Sequence, residues 1–199
     1  MVTAGYFNAD CDGDEMNQHL PQTAMSQMEV RHLFNVESIY LTPQAHRAGI
    51  GLIQNGLLLS YLMTCKDVFF AESQKEFLQS ACQYGLRDES MRPAWSNPRV
   101  QLWTGKQIYS QTFSPGLDLS KTVDFPASKL DVAFDESIPW PEWVRQMMHP
   151  SESFVLIQDG HHCAGRLCSK TVGKTAMSVI DVMVRDVSRR AVTKFLSDV

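Results

Sequence analysis

Asp10, Asp12 and Asp14 stand at every second position of the run Asn8 to Asn17, with Gly13 between the last two. In extended backbone, residues i, i+2 and i+4 point to one side, so carboxylates at this spacing converge only if the chain also curls. Gly13 permits the curl, because glycine reaches backbone angles closed to other residues. An oxygen-only donor set suits a hard cation, Mg²⁺ or Ca²⁺, rather than zinc or copper. Three carboxylates this close repel one another until a cation neutralises them. The plain alternative is an acidic surface turn. An EF-hand is excluded, since its loop needs Gly after the third acidic position and Glu at the twelfth, where this chain has Glu15 and Pro21.

The run Phe7-Asn8-Ala9-Asp10-Cys11-Asp12-Gly13-Asp14-Glu15-Met16-Asn17, followed by His19-Leu20-Pro21-Gln22, resembles the metal loop of the largest subunit of multisubunit DNA-directed RNA polymerases, N-A-D-F-D-G-D. By that resemblance Asp10, Asp12 and Asp14 would hold a catalytic Mg²⁺, and Asn8 would contact the ribose of the incoming nucleotide. Cys11 departs from the motif, where the family has Phe. Alternation turns its side chain away from the metal and into the barrel beneath. The likeness continues in order through Tyr40-Leu41-Thr42-Pro43-Gln44, Gly51-Leu52-Ile53-Gln54, Leu62 to Phe70 and Leu102-Trp103-Thr104-Gly105-Lys106-Gln107-Ile108. The wording of the first two is nearest to the polymerase I form.

Several elements must position these residues. Thr23 to Asn35 reads as a helix capped by Thr23, with Met25, Met28, Leu33 and Phe34 at helical spacing and the methionines filling core. Val36 to Thr42 has strand character and stops at Pro43. Ile50 to Met63 is apolar nearly all round and predicts a buried helix. Asp67 to Gln83 continues in a helical pattern. Tyr84 to Pro98 reads as a linker, and Leu102 opens a helix running to about Phe113. Ser114 to Pro150 reads as an irregular insertion, with Trp140 and Trp143 as a local aromatic clasp.

The last section alternates as strands, Ser153 to Gln158 and His161 to Cys168, about the turn Asp159-Gly160, and so predicts a hairpin. Alternation separates His161, His162, Cys163 and Cys168, so zinc is not expected in this segment. Gly105-Lys106 and Gly173-Lys174 both lack the glycine that a Walker loop requires, and the first is read as a helix start packed by Trp103. The hairpin and Lys170-Thr171-Val172-Gly173 resemble the family's pore region. Ser188 to Leu196 reads as an amphipathic helix.

Composition is that of a globular chain: 199 residues, 44% hydrophobic, with a net charge of -4 that gives no electrostatic footprint for nucleic acid. Five scattered cysteines without a leader predict a reducing intracellular setting. The longest apolar run, Gly56 to Met63, falls short of the about 20 residues that cross a bilayer, so no membrane partner is expected.

The fold class expected is α+β: the end of a double-psi β-barrel with the metal loop (1–24), a mainly helical active-site and pore segment (25–113), the insertion (114–150), and the pore-region hairpin with its terminal helix (151–199). The resemblance implies nucleotidyl transfer by two Mg²⁺ ions, the second arriving with the nucleotide. It implies the other polymerase subunits as partners, the second-largest above all, with DNA template, RNA transcript and nucleoside triphosphates. The compartment implied is the nucleus, or the nucleolus for polymerase I, with a cytoplasmic viral factory as the other setting. Bridge helix, clamp and most of the barrel would lie outside these residues, so the chain alone is not expected to polymerise RNA. The rival readings are a truncated or split assembly fragment that binds a metal ion without catalysis, and a Ca²⁺-stabilised structural loop.

Overall fold

A computed structural model of the chain describes residues 7, 9, 12–82, 91–123 and 152–199. The Trp140 and Trp143 clasp, with most of the expected insertion, lies outside them. The first helix, α1 (Ala24–Leu33), forms as its sequence predicts: the Thr23 hydroxyl accepts the backbone N–H of Ser26 at 3.2 Å, and Arg31 and His32 face the negative end of the helix dipole. Its methionines do not fill core, however, since Met25 is 79% and Met28 51% exposed. Periodicity dictates the helix, but not that something lies opposite it. The expected strand at 36–42 is instead a 3-10 turn, Val36–Ile39, because Asn35 Oδ1 caps it by accepting from Glu37 N at 3.2 Å. Leu41 makes only an isolated bridge to Ala48.

The buried helix expected from Ile50 begins four residues later, as α2 (Gln54–Met63). Ile50, Gly51 and Leu52 are buried in non-helical backbone, where Leu52 N donates to Val172 O at 2.9 Å. Of α2 itself only Ser60 and Met63 are buried, while Leu58, Leu59 and Leu62 are exposed. The segment after it is not one helix either. Aromatic Phe69 and Phe70 enter strand β1 (Phe69–Ala71) before α3 (Glu72–Ala81) starts. Part of the expected linker is strand as well: β2 (Trp95–Asn97) turns through Pro98 and Arg99 into β3 (Val100–Thr104). These strands form an antiparallel sheet in the order β1-β3-β2. The stretch expected to be mainly helical therefore carries a whole sheet.

β3 runs directly into α4 (Gly105–Ser110), which is shorter than the helix expected over 102–113 because Thr104 sets its start. Thr104 Oγ1 accepts from Gln107 N at 3.2 Å and Gln107 Oε1 accepts from Thr104 N at 3.0 Å, a reciprocal capping box. Trp103 is buried beside this start, as expected, and the ammonium of buried Lys75 lies 4.4 Å from the centre of its ring. The second sheet is also antiparallel, in the order β4-β5-β6, from β4 (Leu119–Thr122), β5 (Phe154–Gln158) and β6 (His161–Ala164). The β5–β6 hairpin turns at Asp159 and Gly160, φ 46° and 74°, as its sequence predicts, but β6 stops at Ala164 instead of running to Cys168, because Gly165 at φ 86° takes the chain out of the strand.

Two short helices come next, α5 (Ser169–Val172) and α6 (Val179–Val182), then a π-helical turn, Met183–Val187. The closing helix α7 (Arg189–Asp198) is capped by Ser188, whose Oγ accepts from Ala191 N at 3.1 Å. Its buried stripe of Ala191, Val192 and Phe195 closes the core. There Phe195 stacks on Phe113 with ring centres 5.6 Å apart, and Tyr109 meets Phe113 edge-on at 5.4 Å. The molecule is thus an α+β fold with small antiparallel sheets. Among the described residues no helix is long and apolar enough to cross a membrane.

Gly105 is where α4 meets the end of α2: a Cβ there would fall on the carbonyl of Met63. Its role is close packing rather than phosphate binding. Gly105→Ala is expected to destabilise the chain by about 2 kcal/mol or more, as overpacking against rigid backbone does. A urea-unfolding midpoint equal to the parent's would contradict this.

Candidate metal centre

Asp12 and Asp14 flank Gly13 in an exposed turn, and residues 14–20 continue without regular structure. Gly13 has φ 131°, and apart from its chain neighbours no atom of the described residues lies within 4 Å of where a Cβ would sit, so backbone angle calls for glycine. Asn8, Asp10 and Cys11 lie outside the described residues. Among the described residues no three His, Cys, Asp or Glu side chains gather as a metal site. The expected triad includes Asp10, so two of its three members can be followed here. They are adjacent, exposed and oxygen-only, a donor chemistry that fits a hard divalent cation.

A second cluster is not visible in the sequence pattern. Glu152 is buried, and its carboxylate gathers three donors from separate stretches: Lys106 Nζ from α4, Arg166 Nε at 3.1 Å from beyond β6, and Lys66 N at 3.0 Å from the α2–β1 connection. Arg166 also donates to Tyr61 Oη at 2.6 Å and lies over that ring. Burial alone would raise the pKa of Glu152, but Lys106, Lys66 N–H and Arg166 together outweigh it and hold the carboxyl below its usual value. In sequence Lys106 is only part of a helix start. Its partner stands 46 residues away, beyond the reach of local spacing.

His162 lies close to this network. Strand alternation puts His161 and Cys163 on the exposed face of β6, and His162 and Ala164 on the buried one. His162 is only 6% exposed, its backbone N–H donates to Ser110 Oγ at 2.8 Å, and its ring lies against the backbone of Ala164 and Gly165, with no hydrogen bond of full geometry to either ring nitrogen among the described residues. Burial first, and the nearby charge of Lys106 second, push its pKa down to about 3.

Two families account for nearly the whole sequence: RNA polymerase Rpb1, domain 2, over residues 1–36, and RNA polymerase Rpb1, domain 3, over residues 39–199. The chain is 32% identical over 181 residues to the DNA-directed RNA polymerase I subunit rpa1 of Schizosaccharomyces pombe, covering 87% of this chain and 10% of that protein. It is 31% identical over 193 residues to the RNA polymerase II subunit RPB1-B of Trypanosoma brucei brucei, covering 97% of this chain and 10% of that protein. Against the RNA polymerase III subunit RPC1 of Debaryomyces hansenii the identity is 32% over 184 residues, covering 90% and 12%. The chain thus spans about a tenth of the length of these relatives. Identity is level across the three polymerase classes and does not single out polymerase I.

The buried groups give stability a defined pH dependence. Neutral in the fold down to about pH 3, His162 takes up a proton in the unfolded chain below its ordinary 6.5, so stability falls as pH drops through that interval. The steepest contribution is about 1.4 kcal/mol per pH unit for one proton. What Glu152 contributes is present above its ordinary 4.5 and is lost as pH falls through its lower folded value. Of these two groups, His162 alone therefore acts between pH 6.5 and 4.5. His162→Phe is expected to flatten the urea-unfolding profile across that window and to leave below it the shallower decline due to Glu152. A profile parallel to the parent's between pH 6.5 and 4.5 would refute the assignment.

Proposed function

This chain belongs to the family of RNA polymerase largest subunits, and on that premise we propose that it is the part of such a subunit that carries the catalytic metal loop and the adjoining pore region. The observation that carries the proposal is the run Asn8 to Asn17, with Asp10, Asp12 and Asp14 about Gly13, inside the residues matching Rpb1 domain 2. Residues 1–24 are read as the end of a double-psi barrel, and the β5–β6 hairpin with the helices α5 to α7 as pore.

Asp10, Asp12 and Asp14 hold Mg²⁺ through carboxylate oxygens. Asn8 orients the ribose of the incoming nucleotide by hydrogen bonding. Gly13 supplies the backbone bend that turns the flanking carboxylates toward one point. When bound, Mg²⁺ would supply Lewis-acid charge that makes the RNA 3′ hydroxyl a better nucleophile and offsets negative charge at the α-phosphate, with a second ion arriving with the triphosphate to support the leaving pyrophosphate. The proposal needs no nucleophile from the protein. Template DNA, transcript and the second-largest subunit complete the site, and the nucleus is its compartment.

The test is Asp12→Ala in the assembled polymerase purified from its source cell. Template-directed incorporation is expected to fall about a thousandfold, the equivalent of several kcal/mol of lost charge stabilisation, with the subunit composition unchanged. Undiminished synthesis by the variant complex would exclude the metal role, and tighter Ca²⁺ than Mg²⁺ binding with full activity would favour a structural loop. The chain by itself, about a tenth of its relatives' length, is expected to incorporate no nucleotide when given Mg²⁺, template and triphosphates.

A further inference from the structure

Between Gly173 and Ser178 lie four residues, Lys174 to Met177, of which none is buried, and Met177 sits at φ 52° with its side chain exposed. No apolar burial holds this loop down, yet its backbone is tightly engaged. Lys121, from the middle of β4, projects its ammonium among three carbonyl oxygens: Lys170 O at 2.7 Å, Ala176 O at 3.0 Å and Met177 O at 3.2 Å. An ammonium has three protons, and these are three acceptors at hydrogen-bonding distance. On the opposite side of the same residue, Met177 N donates to Asp181 Oδ2 at 3.0 Å, and Asp181 is itself almost wholly buried. Asp181 Oδ1 in turn accepts from Arg185 Nε at 3.2 Å, and Arg185 donates onward to the carbonyl of His46.

The peptide groups about Met177 are therefore gripped from two sides by opposite charges, an ammonium on carbonyls and a carboxylate on an amide. Three backbone carbonyls converging at 2.7 to 3.2 Å form the kind of oxygen shell that weakly hydrated monovalent cations accept. A lysine ammonium is close to such a cation in size and charge, and carries three donors that can turn toward three such oxygens.

We propose that the carbonyls of Lys170, Ala176 and Met177 form a monovalent-cation cradle permanently filled by the Lys121 ammonium, and that this occupancy sets the conformation of the 173–177 loop. Lys121 is thus a positioning residue. It couples the edge of the second sheet to the loop after α5, and through Asp181 and Arg185 to the turn at His46. The cradle is selective for a point charge: a planar guanidinium is too wide to meet three converging carbonyls, and a neutral amide offers too few protons.

Two measurements on the full chain test this. In the parent protein, the side-chain ammonium nitrogen of Lys121 is expected to give a slowly exchanging NMR signal with through-hydrogen-bond couplings to the carbonyl carbons of residues 170, 176 and 177. A signal exchanging with water like that of a solvated lysine would overturn the proposal. In Lys121→Met, amide exchange over 173–178 is expected to accelerate at least tenfold while α7 keeps its protection, and 0.2 M ammonium or potassium, with tetramethylammonium as the ionic-strength control, is expected to restore at least half of the lost protection. Unchanged exchange over 173–178, or acceleration that the small cations reverse no better than tetramethylammonium, would refute the cradle.

Discussion

The rest of the structure depends on a single buried carboxylate. Glu152 reaches Lys106 at the start of α4, the backbone of Lys66 just after α2, and Arg166 just after β6. Those three points belong to three parts of the chain far apart in sequence, which one carboxylate joins directly. A buried ion pair of this kind adds little net stability when intact, because desolvation offsets the attraction. Losing one partner is costly, since an uncompensated charge is left behind. What the network adds is therefore directional rather than a large net stability: one carboxylate is satisfied only where α4, the α2–β1 connection and the residue beyond β6 all reach it.

The neighbouring contacts are consistent with that reading. Thr64 Oγ1 accepts from Leu167 N at 2.9 Å, one residue beyond Arg166, while Gly105 N donates to Val68 O at 3.0 Å, one residue before Lys106. Each charged contact is thus flanked by a hydrogen bond from a backbone N–H across the same seam. Away from the seam the interior is held differently, by the rings of Tyr109, Phe113 and Phe195. Ser60 at 2.6 Å satisfies the buried Tyr109 hydroxyl, as a buried polar group requires. The division is between a non-directional aromatic centre and directional polar joints at its borders.

Legibility in the sequence divides along similar lines. Features decided within a few residues are readable: the cap at Thr23, the amphipathic helix after Ser188 and the Asp159-Gly160 turn. Features decided by distant partners are not. Phe69 and Phe70 fit a helical pattern as well as a strand, and pairing with Trp103 and Thr104 decides for strand. Met25 and Met28 have helical spacing whether or not a neighbour covers them. Glu152 is an ordinary acidic residue in sequence, and only the approach of Lys106 and Arg166 makes it the keystone of a seam. In the candidate metal centre, residue types specify the chemistry, while the relative placement of the carboxylates is a tertiary property that no spacing rule contains.

The contrast between Glu152 and the carboxylates at Asp12 and Asp14 bears on how such a loop works. Glu152 is preorganised: it is buried and its donors are in place, so its geometry is fixed before any ligand arrives. Asp12 and Asp14 are exposed, on backbone without regular structure after Gly13. A cation binding there must order side chains and backbone as it binds, and that cost subtracts from its affinity. Rigid support from packed elements removes the cost in advance, as it does for Glu152. On the proposed reading, cation affinity at this turn is then governed less by the number of carboxylates than by how firmly surrounding structure holds the backbone at Gly13.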